Sequence, residues 1–323
     1  MLGKLVSDKE SESVATMVKL RKLAHAAIDA ASDRFDHVVT ALEDDVAAPI
    51  PESIRQLESD STVDSDSTIE SDSTARALGG LIVAEGFDDG GSTVQDFSHT
   101  GVPLLDTFYF RFTSKDHHLV LITIDPDRPP GNISLTYRDK NGDDDYYYKI
   151  AHRIIDDARV QRFTRSTDIC SESTCTVPLS KPAGDFVFVL IGFSFRFTGG
   201  RDHHINQVRI LESDGNLQVQ FRDKNGSPPP IFLWDIQFAY VPRDLFVILG
   251  SSSGNGDQGG AGRNIAAGRS VIRGFSFDFQ NDDHHLRDIG VTTPDHGRVE
   301  VFYGDQNGDD KFNWIVQWGI LTP

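Results

Sequence analysis

Two hydrophobic rhythms divide the chain. Over residues 10–46, apolar or small residues fall at Val14, Met17, Ala24, Ile28, Ala31, Phe35, Val38 and Leu42, in steps of three and four with Arg21 as the exception. That spacing lines one stripe of a helix and predicts a helix ending before Pro49 and Pro51. A seam held over about four heptads predicts a coiled coil joining several copies of the chain. Packing of the same stripe onto the protein's own surface is the alternative. From Gly80 onward the rhythm changes to two. Phe193-Ser194-Phe195-Arg196-Phe197 has one aromatic and one polar face, and Trp314-Ile315-Val316-Gln317-Trp318 repeats this with one mixed position. Such alternation predicts antiparallel sheets with one buried face.

The strand pattern occurs three times. Phe-x-Phe-x-Phe begins at Phe108, Phe193 and Phe275, and each copy is followed by an Asp-His-His turn: Asp116-His117-His118, Asp202-His203-His204 and Asp283-His284-His285. Asp139-Lys140-Asn141-Gly142, Asp223-Lys224-Asn225-Gly226 and Asp305-Gln306-Asn307-Gly308 then precede a further aromatic strand. The Asp-His-His turns lie 86 and 81 residues apart, a domain-sized period. An apolar run stands upstream of each copy, at residues 81–83, 160–163 and 245–249. The predicted fold is mainly β: three tandem small antiparallel β-sandwich domains, preceded by an N-terminal α-helix and an acidic linker. The boundaries read as 1–48 for the helix, 49–79 for the linker, and 80–158, 159–243 and 244–323 for the β-repeats. The Gly-rich stretch 250–262 reads as a flexible loop, since it lacks the Gly-Lys-Ser/Thr ending of a phosphate loop.

Between Glu58 and Arg76 a hexad repeats as Ser-Asp-Ser-Thr-x-x, with one apolar residue in six. It cannot bury enough surface to fold alone and reads as a solvated linker, or as the neck of a trimeric fibre with Val63, Ile69 and Ala75 at the axis. The formal net charge of −18 comes from 39 Asp and 10 Glu against 31 Lys and Arg. An acidic surface repels nucleic acid and anionic membranes, so neither is an expected partner. No segment approaches the roughly 18 apolar residues of a membrane span, and no signal peptide is evident at the N-terminus. The two cysteines, Cys170 and Cys175, stand in a Ser/Thr-rich stretch and are either a local disulfide or two thiols.

Candidate chemistry gathers in the turns. If the strands of a repeat form a meander, alternate turns share one end, so the two acidic turns meet on a rim. There Asp139, Asn141 and Asp143 sit at i, i+2 and i+4 around a glycine, as do Asp305, Asn307 and Asp309. This spacing resembles the first half of an EF-hand loop and predicts Ca²⁺ held by oxygen ligands. The second copy runs Asn225-Gly226-Ser227-Pro228 and loses the last carboxylate. An ordinary Asn-Gly hairpin turn explains the same residues without an ion. The pairs His117/His118, His203/His204 and His284/His285 are candidate ligand-binding residues. Asp with His suits zinc or manganese better than calcium, and packing of the imidazoles on the Phe strands is the alternative.

No nucleophile elbow, zincin helix or Cys/His zinc framework occurs in the sequence. Repetition favours multivalent binding over catalysis, which needs one organised site. The sequence therefore predicts a non-enzymatic, multivalent binding protein that self-associates through residues 10–46. Its helix, neck and β head resemble the layout of a viral or bacterial surface fibre or adhesin. That layout implies a glycan or cell-surface receptor as partner and an extracellular or virion location. A structural subunit of a virion, sheath or filament is the alternative.

Overall fold

The computed structural model describes residues 78–323, apart from the turn segments 89–91, 114–117, 127–130, 140–144, 171–173, 198–203, 224–231, 281–284, 294–296 and 306–310. The predicted N-terminal helix and acidic linker lie outside the described residues. Each copy of the repeat supplies six strands. The first holds β1 (Leu78–Asp88), β2 (Ser92–Asp96), β3 (Val102–Phe112), β4 (Leu119–Asp125), β5 (Asn132–Asp139) and β6 (Tyr146–Ile155). The second holds β7 (Gln161–Cys170), β8 (Thr174–Pro178), β9 (Phe186–Phe197), β10 (Ile205–Ser213), β11 (Asn216–Asp223) and β12 (Phe232–Pro242). The third holds β13 (Phe246–Gly256), β14 (Gly260–Asn264), β15 (Ser270–Phe279), β16 (Leu286–Thr292), β17 (Arg298–Asp305) and β18 (Phe312–Leu321).

These strands do not close into three separate sandwiches. They form three six-stranded antiparallel sheets, and every sheet is shared between two repeats. The orders are β1-β6-β3-β16-β17-β14, β7-β12-β9-β4-β5-β2 and β13-β18-β15-β10-β11-β8. We call these the first, second and third sheets, after the repeat that supplies their Phe-x-Phe-x-Phe strand. The strand after each Asp-His-His turn leaves for the next sheet instead of pairing back, so the expected meander is not the arrangement. The edge left open on β3, β9 or β15 is filled by β16, β4 or β10 of another repeat. Residues 74–323 accordingly form one compact unit. The scheme is cyclic, and β3 pairing with β16 closes the ring between the first and third repeats.

Alternation explains how the interior fills. Phe108, Phe110 and Phe112 are buried while Arg111 between them is exposed, and the same pattern holds in β9. Phe195, Trp234, Phe277, Trp314 and Trp318 are all buried, as their aromatic strands predict. Where the three sheets meet, Phe108, Phe193 and Phe275 touch one another with ring centroids 4.8–5.4 Å apart. One equivalent ring from each repeat thus marks a pseudo-threefold axis. Away from it each repeat packs its own two half-sheets together: Phe112 on Tyr137, Phe197 on Phe221 and Phe279 on Tyr303, at 4.1, 4.6 and 4.0 Å.

The Gly-rich stretch is sheet, not loop. Gly250, Gly254 and Gly256 of β13 stand directly opposite Trp318, Trp314 and Phe312 of β18. A Cβ on Gly250 would lie 2.3 Å from the Trp318 ring, and one on Gly256 would lie 2.1 Å from the Phe312 ring. Glycine is required there because large rings on the neighbouring strand cover the backbone. Trp318 also donates its indole N–H to Ser252 Oγ at 3.0 Å. In the second repeat Cys175 is disulfide-bonded, and Cys170 is the chain's other cysteine.

Candidate metal centre and outer sheet faces

The ring closure decides where the histidines go. Each Asp-His-His turn joins the axial Phe strand to the strand that enters the next sheet, so three equivalent turns lie at one end of the axis. His118, His204 and His285 converge there, each half-buried. Their ring centroids lie 5.4, 4.5 and 4.7 Å apart, with the planes inclined by 50–79°. One ring nitrogen from each histidine lies within 4.8 Å of the other two. The residues that follow them, Leu119, Ile205 and Leu286, are completely or almost completely buried, so the hydrophobic core begins immediately behind the cluster. His117, His203 and His284 lie outside the described residues.

The carboxylates expected to bind calcium have a different visible engagement. Asp139 and Asp305 are buried. Asp139 Oδ1 accepts the backbone N–H of His118, and Asp305 Oδ1 accepts that of His285 at 2.8 Å. The two acidic turns of a repeat therefore do meet on one rim, although by crossing between sheets and not as a meander. Strands β5 and β6 lie in different sheets, so the Asp-x-Asn-Gly segment between them is a crossover and not a two-strand hairpin. Asn141, Asp143, Asn307 and Asp309 lie outside the described residues.

Three imidazoles whose ring nitrogens come this close form a nitrogen-only ligand set. They suit zinc, nickel, cobalt or copper, and suit neither calcium nor magnesium. The sequence supplies both acidic turns and the histidine pair of each Asp-His-His turn, but the convergence of the histidines depends on ring closure between repeats. Periodicity within one repeat does not report that.

A second feature lies on the outer face of the first sheet. Phe87 meets Tyr147 at 5.2 Å, Tyr147 meets Tyr109 at 5.8 Å, and Tyr109 meets Phe302 at 4.9 Å. The last two meet across Gly290, which stands opposite both on the intervening strand, where a Cβ would fall 2.8 Å from the Tyr109 ring. Phe87 is 73% exposed. Charges flank the row: Lys149 pairs with Glu85 at 3.0 Å, and Asp288 pairs with both Arg287 and Arg111, at 2.7 and 3.5 Å. Tyr109 donates its hydroxyl to Asp288 at 3.0 Å. Burial first, and the Asp288 charge second, push its phenol up to about 12. Tyr147 donates to Glu85, and burial followed by that carboxylate raises its phenol as well.

At three positions of this row the other sheets are polar, whereas the Tyr147 position holds Leu233 on the second sheet and Asn313 on the third. Tyr109 corresponds to Ser194 and Ser276, Gly290 to Thr123 and Arg209, and Phe302 to Thr136 and Gln220. On the second sheet Thr123 and Ser194 share a hydroxyl hydrogen bond at 2.9 Å, and on the third Arg209 donates to Ser276 at 3.1 Å. Sequence reading missed this row. The signal was Tyr109 standing where the other two copies of the Phe-x-Phe-x-Phe strand hold serine.

Comparison of the chain with models of known protein families and with curated proteins finds no match. Among the described residues, no helix is long and apolar enough to cross a membrane.

Proposed function

We propose that the protein is a non-enzymatic binding protein that recognises a neutral glycan on the outer face of its first sheet, through Phe87, Tyr147, Tyr109 and Phe302. The observation that carries this reading is the difference between equivalent positions. The second and third sheets form with Ser, Thr, Arg and Gln at the Tyr109, Gly290 and Phe302 positions and with Leu233 and Asn313 at the Tyr147 position, so the fold does not need aromatic rings there. Rings presented to solvent offer apolar faces to the C–H faces of sugars, while flanking polar groups bond their hydroxyls. Both adjoining carboxylates are already engaged, Glu85 by Lys149 and Asp288 by Arg111 and Arg287, which leaves the rings as the main contact surface and favours a ligand read by its apolar faces. Multivalency then comes from self-association through residues 10–46. The disulfide of Cys175 fits an extracellular or virion-surface setting.

Panel binding of the full chain to immobilised neutral polysaccharides tests this. At least one should retain the wild type, and Phe87→Ser with Tyr147→Asn should abolish retention while the melting temperature stays nearly constant. Equal retention of the double variant, or no retention of the wild type, overturns the reading.

One observation favours assembly into a filament or shell instead. β1 is the outermost strand of its sheet, and it exposes Leu81, Val83 and Phe87 in alternation. An apolar outer strand can pair with another copy. In that case the same double variant changes particle mass and leaves glycan retention unaffected.

A further inference from the structure

We infer that His118, His204 and His285 bind one divalent transition-metal ion of the zinc class on the pseudo-threefold axis, each repeat supplying one nitrogen ligand.

Geometry carries the inference. Three atoms no more than 4.8 Å from one another share a point within about 2.8 Å of all three, close to the 2.0–2.1 Å of a zinc–imidazole bond. Closing the remaining gap takes a displacement of about 0.7 Å per ring nitrogen. A tetrahedral ion would bring the nitrogens to about 3.4 Å from each other and leave its fourth position to water on the solvent side of the half-buried cluster. The approach is also built into the backbone. Asp139 and Asp305 fix the peptide N–H of two of the three histidines from buried positions. Supports of this kind hold ligands in a set direction.

Ligand type narrows the ion. Nitrogen-only donors exclude the hard cations, and three neutral ligands leave the ion its full charge in a chain whose formal net charge is −18. The alternative is three imidazoles merely packed edge to face. Direct binding separates the two. The role follows from position. Since no two ligands come from the same repeat, the ion ties the first repeat to the third at the point where the ring closes.

The test uses the full chain, stripped with a chelator and then titrated with Zn²⁺ by calorimetry and with Co²⁺ by visible absorption. The expected result is one ion per chain, a Co²⁺ spectrum of tetrahedral type, a higher melting temperature with Zn²⁺ and no response to Ca²⁺ at this site. His204→Gln and His285→Gln should each weaken Zn²⁺ at least about 100-fold, beyond what loss of a supporting contact costs. Both should abolish the melting shift while keeping the metal-free melting temperature near that of the wild type. His99→Gln, whose imidazole bonds the Gly101 carbonyl, should change nothing. No Zn²⁺ uptake by the wild type, or uptake unchanged in His118→Gln/His204→Gln/His285→Gln, overturns the inference.

Discussion

The axis and the outer faces of the sheets follow opposite rules. On the axis the three repeats hold the same residue at the same place: phenylalanine at 108, 193 and 275, and histidine at 118, 204 and 285. On the outer faces they hold Tyr109, Ser194 and Ser276 at one equivalent position, and Phe302, Thr136 and Gln220 at another. A shared interior must satisfy three sheets at once, so a change in one repeat is felt by the other two. An outer face answers only to solvent and ligand. Identity among repeats therefore marks what closure demands, and divergence marks where one face carries a task of its own.

The largest effect should come from breaking the axis. Phe193→Ala removes a ring that contacts both Phe108 and Phe275, and should cost about 3–5 kcal/mol by denaturant unfolding. Tyr147→Asn installs on the first sheet the residue that Asn313 supplies on the third, and should cost less than about 1 kcal/mol. Comparable losses from the two would erase the distinction between axis and face.

Next in size are the carboxylates below the histidines. Asp139→Ala or Asp305→Ala leaves a peptide N–H without its buried acceptor, and each should lower stability by about 1–3 kcal/mol. The proposal that these turns also hold Ca²⁺ adds a separate readout. Calcium should raise the melting temperature of the wild type and not that of the double variant. An unchanged wild-type melting temperature leaves the hydrogen bonds as the role of Asp139 and Asp305.

The smallest effect is alkaline. Tyr109 titrates near 10 when unfolded and near 12 in the folded protein, so the folded state holds its proton more tightly. Its contribution is fully present below pH 10 and is lost as pH rises toward 12. Tyr109→Phe should flatten that part of the stability profile, and ultraviolet titration of the phenols should lose one high-pH group. A profile identical in the variant would mean that neither burial nor Asp288 raises this phenol.

Period-two alternation made the aromatic strands and their buried residues legible, because each strand states locally which face it hides. It does not state which strand will lie beside it. The Phe-x-Phe-x-Phe strand reads the same whether its neighbour comes from its own repeat or from another, so shared sheets looked like separate sandwiches. Gly250, Gly254 and Gly256 were misread for a related reason: their meaning lies in Trp318, Trp314 and Phe312, more than 50 residues away. The acidic turns were correctly placed on one rim, yet the axial cluster needed a third repeat to become visible.

The pairing of β3 with β16 also sets a timetable. Tyr109 and Asp288 are 179 residues apart, and the Asp106 carbonyl accepts from Thr293 across 187. As the chain leaves the ribosome, the first repeat must wait with one side of β3 unpaired until the third repeat has been made. Such distant contacts make folding slow and leave a strand edge open to the wrong partner. A nascent head therefore competes with its neighbours on the same message for that edge. Two chains could exchange third repeats during synthesis and emerge as an interlocked dimer, built from the same contacts as the monomer.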